Sequence, residues 1–358
     1  GLYSKMMTDF SGFAFANGGI TTYTGLSGDE FINYSNSPDQ TQFYENSLQP
    51  TNTNLPLLWG NAFNYIYTCN AMIEGLNNAS SLSPTVKNQL TGEAYFLRAF
   101  NYFYLTNLFG ELPLVTGTSY QVNQSIAKSN RSLVYHQIIS DLQIAIPLLS
   151  TDYSFSGGER IRANRWAAAA LLSRVYLFTG NWKSAESEAD TVIANNSLFT
   201  LTGINNVFLA NSQESILQFM PVVSGFNTWE GYNFILTDIP SSSPAQVALT
   251  PGLLSAFEPN DLRRIGWVDS VIAGGSTYYY PFKYRVQLGQ QLTEYYTVLR
   301  LAELFLIRAE ARVNLNDLSG SLADLNVIRR RAGLPNATMG PSDELLTDIM
   351  KERRVELL

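Results

Sequence analysis

One stretch, Leu90–Thr118, LTGEAYFLRAFNYFYLTNLFGELPLVTGT, restricts the fold more than any other part of the chain. Before it, Ser83 supplies a capping hydroxyl and Pro84 takes a first helical position where its missing N–H costs nothing. Near its end, Gly110 suits a left-handed cap and Pro113 forbids continuation. The spacing predicts a helix over Pro84–Phe109. Val86, Leu90, Ala94, Leu97, Leu105 and Leu108 repeat at helical spacing, and Phe96, Phe100, Phe103 and Phe109 fill a second face. A helix apolar around most of its circumference lies inside a protein. Glu93 and Arg98 are the charges it carries there, and burying either without partners is costly. Both are expected to be hydrogen-bonded to neighbouring segments, as structure and not as a catalytic pair.

Composition narrows the remaining choices. In 358 residues no Gly/Ser-rich linker, charge block or low-complexity stretch divides the chain, so one large domain is expected. Hydrophobic content of 45% supports a sizeable core, while 15% charged residues leave a surface of neutral polar groups. A net charge of −7 argues against nucleic acid and against adsorption on anionic lipid. The longest apolar runs, such as Trp166–Leu172, fall far short of the roughly 20 residues that span a bilayer. The single cysteine, Cys69, allows no internal disulfide and reads as a buried apolar residue. Neither a signal peptide nor a lipid-attachment cysteine is legible, and opening mid-pattern at Gly1 is expected of a chain that has lost its first residues.

Further helices are predicted over Pro56–Leu76 and Leu133–Leu149. Within Asn164–Glu188, Leu172, Ser173, Tyr176, Gly180, Trp182, Ala185 and Ala189 stand at tetratricopeptide spacing. Val298–Asn314 and Leu318–Ala332 make a second, degenerate pair, and the central helix with Leu133–Leu149 a third. Residues 1–55 carry many turn formers, with Tyr34, Phe43 and Tyr44 among amides. Residues 197–297 hold short strand-like runs, Ser215–Val223 and Thr277–Val286, between turns. The fold class is mainly α, with divergent tetratricopeptide helix pairs as scaffold and a loop-rich mixed lobe containing short strands. Residues 56–196 and 298–358 form the scaffold, and 1–55 and 197–297 the ligand-facing lobe.

Catalytic chemistry is sparse. His136 is the only histidine, which excludes a histidine-rich metal site, and it reads as a structural or surface residue. A glycosidase needs two carboxyls facing one sugar. Asp29, Glu30, Glu230, Asp238, Asp261 and Asp269 are candidates, each more simply a solvated loop acid. Gly157-Gly158 and Gly274-Gly275 lack phosphate-loop context and read as turns. No enzyme activity, metal or cofactor is expected. The loops instead offer aromatic planes, which cover the apolar face of a sugar, beside amides that hydrogen-bond its hydroxyls. Trp229, between Gly225 and Gly231 in a loop-like segment, is the first ligand-binding candidate, followed by Tyr279 and Tyr44, then Tyr34, Tyr232 and Asn46.

GEAYFLRAFNYFYLTNLFGELPLVTG, Gly92–Gly117, resembles the signature of the SusD/RagB family of outer-membrane nutrient-binding lipoproteins. FEPNDLRR (Phe257–Arg264), LRLAELFLIRAEARVNL (Leu299–Leu315), LADLNVIRRRAGLP (Leu322–Pro335) and ERRVELL (Glu352–Leu358) extend the resemblance in the family's order over nearly the whole chain. Family members continue through a longer C-terminal region. The resemblance implies a SusD-like fold, a lipid anchor on the outer membrane and an outward-facing protein at the cell surface. It also implies lid-like association with a SusC-like TonB-dependent transporter, the helical face docking on the barrel and the loop lobe capturing oligosaccharide or polysaccharide. Peptide uptake on the same fold, or a tetratricopeptide-type adaptor that binds only protein, are the alternatives. Ligand contacts in the family come from variable loops, so the resemblance identifies none of the six candidate residues.

Overall fold

The computed structural model describes residues 1–8, 18–242 and 244–357. The central helix runs from Pro84 to Phe109, with the Ser83 hydroxyl accepting from the Val86 N–H and Gly110 at φ 78°. Helix Asn54–Asn78 packs on it from one side and helix Arg131–Leu148 from the other. Helices Arg165–Phe178 and Trp182–Ile193 follow in the same layer, each packed on its predecessor. Helix Leu301–Asn314 then closes onto Trp182–Ile193, carrying Leu318–Arg331 and Ser342–Leu357 with it. The main core is continuous through these elements, and the lobe leaves the helical layer after Ile193 and returns at Tyr296.

The charges of the central helix are paired as their burial requires. Arg98 donates to both carboxylate oxygens of Asp141, at 2.8 and 2.6 Å, and to Asn70 Oδ1 at 2.9 Å. Asn70 in turn donates to the carbonyls of Val115 and Gly117, so one guanidinium joins three helices to the proline-bearing segment. Glu93 accepts from Gln89 at 2.6 Å and from Arg162 at 3.0 Å. Cys69 is buried and His136 exposed.

A second polar knot ties the last helix to the lobe. Arg263, fully buried, pairs with Asp261 at 2.7 Å, Glu356 at 2.9 Å and Glu352. Arg300 and Arg331 both bridge Glu214 and Glu356. Burial alone would raise the Glu356 carboxyl, but Arg331, Arg300 and Arg263 hold it well below the usual carboxylate range.

Two segments depart from the sequence expectation. Residues 1–55 contain helices Leu2–Met7, Gly19–Ser27 and Pro38–Tyr44, and Leu2, Met6 and Met7 enter the main core. Helices this short draw their stability from tertiary packing and leave little periodicity to detect. Val298–Arg300, expected to open a helix, belongs to strand Tyr296–Arg300, which pairs antiparallel with Ser215–Phe219. The β-branched Thr297 and Val298 favour that pleat, and the helix begins at Leu301. Residues 9–17 of the N-terminal stretch and Leu358 of the last motif lie outside the described residues. No helix among the described residues is long and apolar enough to cross a membrane.

Candidate functional site

The lobe surface is organised by two small sheets. Strand Phe31–Asn33 pairs antiparallel with Val247–Leu249, and Val268–Ala273 pairs with Ser276–Pro281 in a hairpin. Gly274 and Gly275, at φ 57° and 79°, form the two-residue turn of that hairpin, a backbone that side chains with a Cβ disfavour. Strand alternation sends Tyr278 and Tyr280 to one face and Tyr279 to the other. Tyr278 and Tyr280 pack on Ile235, Leu236, Ala245 and Ala248.

Tyr34, directly after the first strand, meets Tyr278 edge to face at 5.5 Å and 86°. The two half-buried rings make a perpendicular aromatic corner. Burial raises the Tyr34 hydroxyl above its usual pKa, with Tyr278 and Tyr44 adding to the shift, and the helix that ends in Tyr44 packs on the strand that precedes Tyr34. Tyr44 is 38% exposed at the end of helix Pro38–Tyr44. Polar groups flank it: Asn33 donates to Thr41 Oγ1 at 3.1 Å, and exposed Asn36 and Ser37 follow on the same loop.

The remaining candidates stand elsewhere. Tyr279 faces the opposite side of the hairpin, where the Arg264 guanidinium lies 4.9 Å from its ring, and packs against the main core. Trp229 lies in a short helix, Trp229–Phe234, and not in a loop. It is 5% exposed, with Phe226 at 4.8 Å and Tyr232 at 5.5 Å covering its indole. That burial corrects the expectation of an exposed platform: Trp229 supports the half-buried Tyr232 from beneath. Asn46 adopts a left-handed turn at φ 51° and spends its amide on the Ser27 carbonyl at 3.3 Å.

A second feature lies deeper. A cavity of about 450 Å³ opens between helix Gly19–Ser27, the central helix and strand Tyr296–Arg300. Glu230 reaches its wall, with Oε1 accepting from Thr21 at 3.0 Å and Oε2 lacking any hydrogen-bond partner. Burial pushes this carboxyl up to about 7. The phenols of Tyr284 and Tyr296 are raised first by burial and then by the Glu230 charge. Glu230 was expected as a solvated loop acid, yet it is 6% exposed. Gly231 explains its depth: a Cβ there would stand 2.4 Å from the Val286 carbonyl oxygen, so only glycine lets this turn sink into the lobe. Among the described residues no group of three or more His, Cys, Asp or Glu is arranged to hold a metal ion.

Comparison with known proteins places this architecture. Residues 20–177 match a SusD-like family described as starch-binding and associating with the outer membrane, and residues 269–358 match the SusD family. The chain belongs to the SusD/RagB family. SusD-like protein P2 of Formosa agariphila is 28% identical over 354 residues, covering 84% of this chain and 68% of that protein. A SusD-like protein of Bacteroides ovatus is 27% identical, covering 88% of this chain and 65% of its own length. The chain thus spans about two thirds of the length of these curated relatives. A SusD superfamily protein of Bacteroides vulgatus superposes at TM-score 0.86 with 20% identity, over 99% of this chain and 83% of that one. A SusD-like carbohydrate binding protein of the same species gives 0.81 and 20%, over 99% and 78%.

Of the corner's residues, Tyr34 and Tyr44 fall within the stretch matched by the first family description and Tyr278 within that matched by the second. Tyr278 was missed because sequence alone does not fix which of three consecutive tyrosines shares a face with Tyr34. The pleat decides that, and only the two-glycine turn at Gly274-Gly275 hinted at the register. Glu230 was placed on the surface because its neighbours Gly225, Thr228 and Gly231 look like a loop.

Proposed function

We propose that this SusD/RagB protein is a non-enzymatic glycan-binding protein of the outer-membrane surface, held there by a lipid anchor. It captures oligosaccharide or polysaccharide on the loop lobe and hands it to a SusC-like TonB-dependent transporter docked against the tetratricopeptide-like helical face. The observation that carries the reading is the corner of Tyr34 and Tyr278, with the helix that ends in Tyr44 packed on the strand that precedes Tyr34. Two perpendicular rings cradle the apolar face and the edge of one pyranose, and the exposed Asn36 on the adjoining loop supplies hydrogen bonds for its hydroxyls. The family's described role in starch binding, and the carbohydrate-binding description of the Bacteroides vulgatus neighbour, agree with that chemistry.

A hydrolytic role finds little support among the acids. Asp261 is consumed by Arg263, and Glu30 pairs with Arg354 at 2.8 and 3.0 Å. Glu230 lines a cavity to which Tyr34, Tyr44 and Tyr278 do not contribute. Each aromatic contact supplies about 1 kcal/mol, so monovalent affinity in the micromolar to millimolar range is expected.

Affinity gel electrophoresis against a panel of soluble polysaccharides tests the proposal. Retardation by one glycan class, lost in Tyr34→Ala and Tyr278→Ala, is the expected result. Uniform mobility across the panel together with binding of peptides would replace glycan by peptide as the cargo.

A further inference from the structure

The cavity beneath the lobe is separate from the aromatic corner and has an unbalanced charge. Its wall carries several ionic groups, and all but one are neutralised in place. Arg174 donates twice to Glu303, each bond at 2.6 Å. Arg300 pairs with Glu214 and Glu356, and Glu30 with Arg354. Lys283 donates to the Glu356 carbonyl at 3.1 Å, and burial, then Arg300, pushes its ammonium well below the usual lysine value. Glu230 is the exception. Among the described residues it makes no ion pair, and no donor completes a hydrogen bond to its buried Oε2, although the Tyr296 hydroxyl stands near enough to the carboxyl to offset part of the effect of burial.

A buried carboxylate oxygen with no donor loses the solvation it had in water and gains nothing in exchange. Here it borders a space with room for about 15 waters at liquid density, far more than one bridging molecule needs. The same wall presents aromatic rings from Phe31, Phe100, Phe234, Tyr284 and Tyr296. Ring faces are the negative side of the aromatic quadrupole and attract cations. A carboxylate with free acceptor capacity in a cavity lined by these aromatic side chains is the chemistry that recognises a positively charged nitrogen carrying N–H donors.

We propose that this cavity is a binding site for an organic cation, an ammonium or guanidinium group, with Glu230 as its counter-charge. The cation donates an N–H to Oε2 while Thr21 continues to hold Oε1, and the rest of the guest lies against the rings of Tyr284, Tyr296 and Phe234. Two sources offer such a group: the amino group of an amino sugar, and the side chain of a lysine or arginine in a peptide. The proposal stands independently of the Tyr34–Tyr278 corner, whose rings do not line this cavity.

Isothermal titration of the full-length protein with glucosamine, lysine amide and arginine amide, against N-acetylglucosamine and norleucine amide as uncharged controls, tests it. At least one cation should bind, at least tenfold more tightly than its uncharged counterpart, and Glu230→Gln should weaken it at least tenfold. Preference for glucosamine assigns the site to amino sugars, and preference for an amide of lysine or arginine assigns it to side chains. Should Glu230→Gln not fold, Glu230→Asp, which keeps the charge but withdraws it from the cavity, must weaken binding in the same order of ligands. Equal binding of charged and uncharged compounds, or affinity unchanged by either variant, overturns the proposal. So does the absence of binding by all three cations at millimolar concentration, or a crystal structure in which the protein's own polypeptide fills the cavity.

Discussion

Arg98 and Asp141 face each other from two adjacent helices in a two-pronged ion pair, with both side chains removed from water. The geometry leaves little of either charge unsatisfied, since Asn70 and Gln137 complete the bonding at 2.9 and 2.7 Å. A buried pair of this kind adds little net stability compared with apolar residues, but breaking it strands a charge. Asp141→Asn is therefore expected to cost about 3–5 kcal/mol, measured as a lowered urea midpoint. Replacing Arg98 and Asp141 together with Met and Leu should cost less than the sum of the two single changes.

Gly92, the first residue of the signature stretch, lies where the central helix meets the end of its neighbour. A Cβ at Gly92 would stand 2.8 Å from Leu149 Cγ and 3.2 Å from Leu148 Cβ. Alanine would improve helix propensity by about 1 kcal/mol. Overpacking against two leucines costs about 1–3 kcal/mol and wins. Gly92→Ala should lower stability by up to about 2 kcal/mol, and a raised melting temperature would refute the close-approach explanation.

The helical layer was legible because its signals are local. Ser83, Pro84 and Gly110 mark the ends of one helix within a few residues of where they act, and Arg98 announces a buried partner by sitting among phenylalanines. The lobe was less legible because its geometry depends on pairings between distant segments. Phe31–Asn33 becomes a strand only against Val247–Leu249, and Tyr34 meets Tyr278 only because that sheet exists. Trp229 illustrates the same limit: flanking glycines suggested an exposed loop, whereas Gly231 is there to let the helix pack tightly against Val286.

The two faces of the hairpin should separate binding from stability. Tyr34→Ala and Tyr278→Ala each remove a platform worth about 1 kcal/mol, a loss of about fivefold in glycan affinity. Tyr34→Phe should keep most of that affinity if ring contact dominates. Tyr279→Ala should leave glycan affinity unchanged while removing the contact with Arg264. Trp229→Ala, which empties a buried site, should cost about 3–5 kcal/mol of folding stability. Glycan titrations on each variant, paired with thermal unfolding, check this division.

The pH dependence of folding gives Glu230 a signature of its own. Its carboxyl is raised from 4.5 to about 7 in the folded protein, first by burial, and no neighbouring cation opposes the shift. The folded state therefore holds a proton there that the unfolded chain releases at lower pH. This contribution to stability is fully present below pH 4.5, declines as pH rises, and is lost by about pH 7. The shift corresponds to about 3 kcal/mol between the two limits. Glu303 beside Arg174 and Glu356 among its arginines add a dependence of the opposite sign, and Glu93, Asp141 and Glu352, raised by burial, add one of the same sign. Comparing the native protein with Glu230→Gln cancels those contributions. The variant should match the native protein at pH 4.5 and exceed it by up to about 3 kcal/mol at pH 8. Urea unfolding of both proteins at the two pH values decides it, and a difference that does not change with pH would mean that Glu230 is ionised and solvated in the folded state.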